Sequence, residues 1–314
     1  MLSQKTMHFF GQVLASRPLD FPDMVRRRAI EALAFPPTKL ATTYVGDVRF
    51  DVDMTLHALA RKYYYQTHEM FLESVFRRHL APGATFVDIG ANMGYWSAFS
   101  ASLVGPFGAV HAFEPVPQFH RSLERLRDNN PRYDIFPNRM ALGAAPGVLP
   151  MAVVTPTADN FDNFDTNIGS SSVLPGFLDH EAGLTETIDV EVSTFDAYAE
   201  ANDLDLDRIG LIKLDVEGYE EQALTGASRV LRGSDFKVIL LEGSSPHVLK
   251  LMAEHGFTRA FYDPFTRLLQ RTPNELAFSN GRWTHSNEFF VRDWDFVAQR
   301  LATAKPVTVL GRTI

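Results

Sequence analysis

Lys213 and Asp215 leave the apolar run Ile209-Gly210-Leu211-Ile212-Lys213-Leu214 at alternate positions. In an extended strand both side chains therefore point to one face. Charges at the end of a buried strand are costly unless they are paired or used. An ion pair closing the strand is one reading; a reactive group held in place by a neighbouring ammonium is the other. Glu217 and Gly218 follow at once, and Glu217 also suits the N-terminus of the next helix, where an acid meets the helix dipole. Glu242 ends a second apolar run, Lys237-Val238-Ile239-Leu240-Leu241. Carboxylates at two neighbouring strand ends can orient a hydroxyl, take its proton, or hold a hard cation such as Mg²⁺, with Asp215 and Glu242 as ligands. His247, just after Ser244-Ser245-Pro246, is a third candidate base. The histidines at 68, 79, 111, 120, 180, 255 and 285 show no ligand spacing and read as structural.

A second constellation lies upstream. Val87-Asp88-Ile89-Gly90-Ala91-Asn92-Met93-Gly94 follows an apolar strand and opens a helix. Glycines there let the turn tighten and a ligand approach the backbone. Glu114 ends the next strand 24 residues after Gly90, where a carboxylate can accept from both hydroxyls of a ribose. The dinucleotide pattern G-x-G-x-x-G is not met, because the second glycine is missing. Asp88 would repel a pyrophosphate but suits a ligand carrying an ammonium or sulfonium group, which describes S-adenosylmethionine.

These residues need a frame of strands. Short apolar runs at 85–89, 109–113, 132–139, 209–214 and 237–241 alternate with helical stretches at 95–104, 118–129 and 220–231. That alternation predicts a parallel sheet covered on both faces. A helix over 69–80 precedes it, and 257–262, 268–270 and 288–291 add strands that can end the sheet antiparallel. Residues 1–60 are expected to be an extension, mainly helical, with a hairpin over 43–53 turning at Gly46-Asp47. Residues 61–314 then form one domain. Within it 155–187, rich in Asp, Asn, Thr, Ser and Gly, is expected to be a long loop over the cleft.

With these motifs in view, the sequence resembles the FkbM family of S-adenosylmethionine-dependent methyltransferases. The likeness runs over about residues 65–292. It is carried by Asp88–Tyr95, Phe113-Glu114-Pro115, Asn138, Ala141-Leu142-Gly143, Gly169–Ser172, Ile212–Glu220 with Leu224 and Gly226, Glu242, and Asn287–Phe290. The resemblance implies a class I methyltransferase, a Rossmann-like α/β fold with a seven-stranded mixed sheet between helices. It implies S-adenosylmethionine bound by Asp88 and Asn92 at the methionine end, Gly90 and Gly94 through the backbone, and Glu114 at the ribose. Asn138 and Ala141 would flank the adenine, and Glu69 would reach the methionine ammonium. Asp215, Glu242, Lys213 and His247 are left as the catalytic set. The acceptor implied is a hydroxyl of a sugar, of a glycosylated acceptor or of a secondary metabolite, with Ser170–Ser172 helping to cover it.

Composition narrows the alternatives. Thirty basic against 38 acidic residues give a net charge of −8, so nucleic acid is not the expected partner. The absence of Cys removes thiol chemistry and thiolate metal sites. No apolar run reaches about 18 residues and the start shows no signal-peptide core, so a cytoplasmic enzyme without a membrane span is expected. Other classes stay open: an NAD-dependent oxidoreductase, an N-methyltransferase of a small amine, or a non-catalytic cofactor-binding module. Neither oligomeric state nor acceptor identity follows from the sequence.

Overall fold

The computed structural model describes residues 39–56, 59–154, 171–173, 185–233, 237–263, 268–272, 288–303, 308–309 and 312–313. The expected helices of 1–35, most of the 155–187 segment, and the residues Ser170, His180, His285 and Asn287 lie outside them.

The chain opens with an antiparallel hairpin of β1 (Leu40–Val45) and β2 (Val48–Asp53), turning at Gly46 with φ +63°. Two helices follow, α1 (Ala60–Tyr64) and α2 (Met70–His79). The sheet then begins with β3 (Thr85–Ile89), α3 (Tyr95–Val104), β4 (Ala109–Phe113), α4 (Pro117–Asn129) and β5 (Asp134–Asn138). An excursion comprises β6 (Ala141–Leu142), β7 (Gly147–Val154), β8 (Ser171–Ser172) and β9 (Thr185–Ser193). The main sheet resumes with α5 (Phe195–Ala201), β10 (Ile209–Leu214), α6 (Glu220–Thr225), α7 (Ser228–Arg232) and β11 (Val238–Leu241). Last come α8 (Pro246–Glu254), β12 (Thr258–Asp263), β13 (Leu268–Gln270), β14 (Glu288–Val291), α9 (Trp294–Thr303) and a small pair, β15 (Thr308–Val309) with β16 (Arg312–Thr313).

The main sheet has the order β13-β12-β14-β11-β10-β3-β4-β5. From β11 to β5 every pairing is parallel, while β14 is antiparallel to both β11 and β12. This is the mixed class I sheet with an eighth strand, β13, added antiparallel at its edge. Strand order reverses between β3 and β10, which places the ligand crevice beyond their carboxyl ends.

Alternation divides the side chains between two cores. Val87, Ile89, Ile212, Leu214, Ile239 and Leu241 face a layer built from α5, α6, α7 and α8. Phe86, Val110, Leu211, Val238 and Leu240 face the other layer, with α2, α3, α9 and the hairpin. Asp88 and Lys213 share parity with this second set, so two charges stand on an otherwise apolar face.

Two expectations are corrected here. The single helix over 220–231 is two short ones, broken at Gly226, where a Cβ would lie 2.0 Å from the Gly143 carbonyl oxygen. And 155–187 is not loop throughout. Thr185–Thr187 open β9, which pairs with β7 along eight residues of each strand, and Ser171-Ser172 pair with Val153-Ala152.

Candidate functional site

Beyond the carboxyl ends of β3, β4 and β10 lies a cavity of about 300 Å³. That is the lower end of the range for small-molecule sites. Its floor is the turn after β3. Gly90 and Ala91 donate backbone N–H bonds to the Phe113 carbonyl, both at 3.0 Å, which folds the turn over the end of β4. Gly90 has φ +80°, and a Cβ there would lie 1.8 Å from the Asp215 carbonyl oxygen. Only glycine fits, because β10 passes directly alongside. Asn92 also takes the left-handed region, with φ 52°, and its side chain accepts from Met93 N at 2.8 Å.

Glu114 is 4% exposed and grips the same turn, one oxygen accepting from Asn92 N at 2.8 Å and the other from Val116 N at 2.9 Å. Each oxygen keeps a lone pair for a further donor. Burial pushes this carboxyl up to about 7, with Asp88 and Asp215 adding to the rise and the two N–H bonds opposing it. Hydroxyls donating to it stabilise the ionised form, so protonation competes with a bound diol. S-adenosylhomocysteine affinity is therefore expected to fall about tenfold from pH 8 to pH 6, and Glu114→Gln to flatten that slope. Calorimetric titration across pH checks this; an unchanged affinity in the wild-type chain would remove Glu114 from the ligand.

Asp88 is 1% exposed and accepts from Ser97 Oγ at 2.6 Å. Burial raises it to about 6, against the pull of Lys213 and the Ser97 bond. Glu69, at the left-handed residue before α2, accepts from Trp96 Nε1 and meets His68 Nε2, both at 3.2 Å. Burial opposes its charge, yet His68 and Lys213 hold it below the usual carboxylate range. The wall is completed by aromatic rings: Tyr63 stacks on Tyr95 with centroids 5.5 Å apart, and His68 stands edge-on to Tyr63 at 4.9 Å.

The second acid group lies where β10 and β11 end. Asp215 N donates to the Ile89 carbonyl and Glu242 N to the Leu214 carbonyl, which carries both acids just past the sheet. Lys213, 3% exposed, donates to Asp215 Oδ2 at 2.6 Å. Burial works against the ammonium, but Asp215, Glu69 and Asp88 together keep it charged and raise its pKa. Asp215 is only partly buried, and Lys213 and a hydrogen bond with Glu242 hold it well below the usual range. Glu242 is pushed far up by burial and by the Asp215 and Glu217 charges. The two carboxyls are thus driven in opposite directions, Asp215 toward its charged form and Glu242 toward its neutral one. Oxygens of Asp215, Glu217 and Glu242 all lie within 4.8 Å of one another. Such a donor set suits Mg²⁺ in type, but the ion would compete with the Lys213 ammonium for Asp215.

Of the residues expected at the site, Glu69, Asp88, Gly90, Asn92, Glu114, Ala141, Lys213, Asp215 and Glu242 line one cavity. Gly94 does not; with φ +89° it starts α3, and a Cβ there would lie 2.6 Å from Leu123. Asn138 turns its amide to the carbonyls of Ala112 and Phe136 and is also absent from the lining. His247 is 80% exposed, 3.5 Å from Glu221 and away from the cavity wall. His68, read from the sequence as structural, also lines it, as do Tyr63, Met140, Met151 and Val173, for which sequence reasoning had no place, and Tyr219 of the Ile212–Glu220 motif. The aromatic run Tyr63-Tyr64-Tyr65, six residues before Glu69, was the available signal.

A buried acid under a glycine turn, a ribose-type acid at the next strand end and an acid-lined wall fit a cationic nucleoside ligand. A family model described as the methyltransferase FkbM domain matches residues 88–261, more than half of the 314. The AMB antimetabolite synthetase AmbE of Pseudomonas aeruginosa is 26% identical over 227 residues, which are 62% of this chain. The match takes in only 10% of that protein's length. Among solved structures, fibrillarin from Aeropyrum pernix with bound S-adenosyl-L-methionine is 10% identical, covering 83% of this chain and 86% of that one, with a TM-score of 0.40. An S-adenosylmethionine-dependent O-methyltransferase from Thermotoga maritima is 13% identical, covering 73% and 65%, with a TM-score of 0.35. No helix among the described residues is long and apolar enough to cross a membrane. By its family match this chain belongs to the FkbM methyltransferases, enzymes dependent on S-adenosylmethionine.

Proposed function

We propose that the chain methylates a hydroxyl oxygen, on a sugar, a glycosylated acceptor or a secondary metabolite. The observation that carries this reading is the placement of Asp215 and Glu242, with oxygens within 4.8 Å of each other and Lys213 2.6 Å from Asp215, in the wall of the cavity. An alcohol is a poor nucleophile, and its proton becomes strongly acidic only as the new C–O bond forms. A weakly basic carboxylate such as Asp215 is then sufficient to take that proton. S-adenosylmethionine, when bound, supplies an activated methyl group. The protein's own work is alignment and proton removal.

In this reading the acceptor hydroxyl donates to Asp215 while the protonated Glu242 donates to Asp215 from the other side. Lys213 keeps Asp215 ionised before transfer and holds the charge balance of the buried group. Asp88, Glu114 and Glu69 hold the methionine and ribose ends, Glu69 through the ammonium. The carboxylates around the cavity favour a cationic donor and disfavour an anionic acceptor. Phosphorylated or uronate acceptors are accordingly expected to be poor substrates.

The test is a panel of neutral glycosides, amino sugars, uronates and simple amines, scored by S-adenosylhomocysteine release, with the methylated atom assigned by NMR. Methyl ethers formed on neutral glycosides are the expected result. Methylation confined to amine nitrogens would overturn the reading.

A further inference from the structure

Two walls of the cofactor cavity are joined by a buried hydroxyl. Ser172 in β8 is 1% exposed, and its Oγ donates to the main-chain carbonyl of Glu217 at 2.8 Å. Its neighbours Ser171 and Val173 line the cavity on one side, with Met151 of the adjoining β7. Val216, Glu217 and Tyr219 line it on the other, in the turn that follows β10. That turn holds two successive residues in the left-handed region, Glu217 at φ 49° and Gly218 at φ 91°. For a glutamate this conformation is uncommon and persists only where the surroundings impose it. β8 is in turn fixed to β7 by the pairs Ala152–Ser172 and Val153–Ser171. The bond from Ser172 thus ties the four-stranded sheet to the turn that carries Glu217 beside Asp215 and Glu242.

We propose that Ser172 is a positioning residue for the cofactor: its hydroxyl holds the Glu217–Gly218 turn closed and so sets the spacing between β8 and the end of β10. The inference concerns the cofactor cavity alone and stands whether the acceptor atom is oxygen or nitrogen. Without the hydroxyl, the Glu217 carbonyl loses the Ser172 bond and the turn is freer to leave the left-handed region.

The experiment is calorimetric titration of the full chain with S-adenosylhomocysteine, paired with hydrogen exchange of the backbone amides. Ser172→Ala is expected to weaken binding about tenfold and to speed exchange at 216–219, while exchange in the central strands stays as in wild type. Binding within twofold of wild type would overturn the proposal. So would faster exchange throughout the core, which would make Ser172 a packing residue only. Should the alanine variant not fold, Ser172→Cys keeps the size with a much weaker donor and is judged by the same outcomes.

Discussion

Asp215→Asn is expected to slow methyl transfer about 10³-fold while S-adenosylhomocysteine still binds within a few-fold of wild type. Asparagine keeps the shape of the side chain but cannot accept the proton that the acceptor must lose. It also leaves the Lys213 ammonium, buried at the strand end, without the carboxylate 2.6 Å away. A lowered melting temperature should accompany the lost turnover, since an unpaired buried charge is costly. Glu242→Gln supplies the contrast. Because Glu242 is the carboxyl pushed toward its neutral form, a neutral amide resembles it, and the loss should stay below about tenfold. Single-turnover rates on an acceptor from the glycoside panel would measure both. Full activity in Asp215→Asn, or equal losses in the two variants, would remove the assignment of Asp215 as the base.

The second large effect is expected at Gly90. Gly90→Ala puts a methyl group 1.8 Å from the Asp215 carbonyl oxygen, a backbone atom that cannot rotate aside. It also asks alanine to hold φ +80°. Relief requires β3 and the end of β10 to separate, which breaks the bond from Asp215 N to the Ile89 carbonyl. The cost should exceed about 4 kcal/mol, among the largest for a single substitution. A melting temperature lower by about 10 °C, with no measurable S-adenosylhomocysteine binding, is the expected outcome. A variant that melts and binds as wild type would mean that the turn after β3 is not as closely packed as described.

Much of this site was legible in the sequence because its acids sit at strand ends. Period-two alternation put Lys213 and Asp215 on one face, and the neighbouring apolar runs put Glu242 beside them; the register Lys213–Asp88 and Lys213–Leu240 realises that geometry. Gly90 and Glu114 were legible for the same reason, since a turn and a strand end fix where their backbones lie. His247 was not, because a helix start can face either way and Pro246 leaves it on the solvent side. Asn138 was expected to face the ligand, but its amide is used on carbonyls of its own sheet edge. The β7–β9 pairing was missed although Ile188, Val190 and Val192 alternate with polar residues and both valines are buried; only Thr185–Thr187, which open the strand, carry no apolar side chain. The opposite shifts of Asp215 and Glu242 were also beyond the sequence. They depend on burial and on distances between residues 27 apart in the chain.

The placement of β14 has a consequence for how the molecule is made. Residues 288–291 lie between β11 and β12, antiparallel to both, although those two strands are consecutive in the chain. During synthesis β11 and β12 emerge from the ribosome with a strand-wide gap between them that no later-folding helix can fill. Until residue 291 is free of the exit tunnel, the nascent chain presents two open apolar strand edges, the kind of surface that chaperones capture and that other chains pair with. Ribosomes stalled shortly before β14 should therefore hold a chaperone-bound, protease-sensitive chain, and ribosomes stalled well beyond it a compact one.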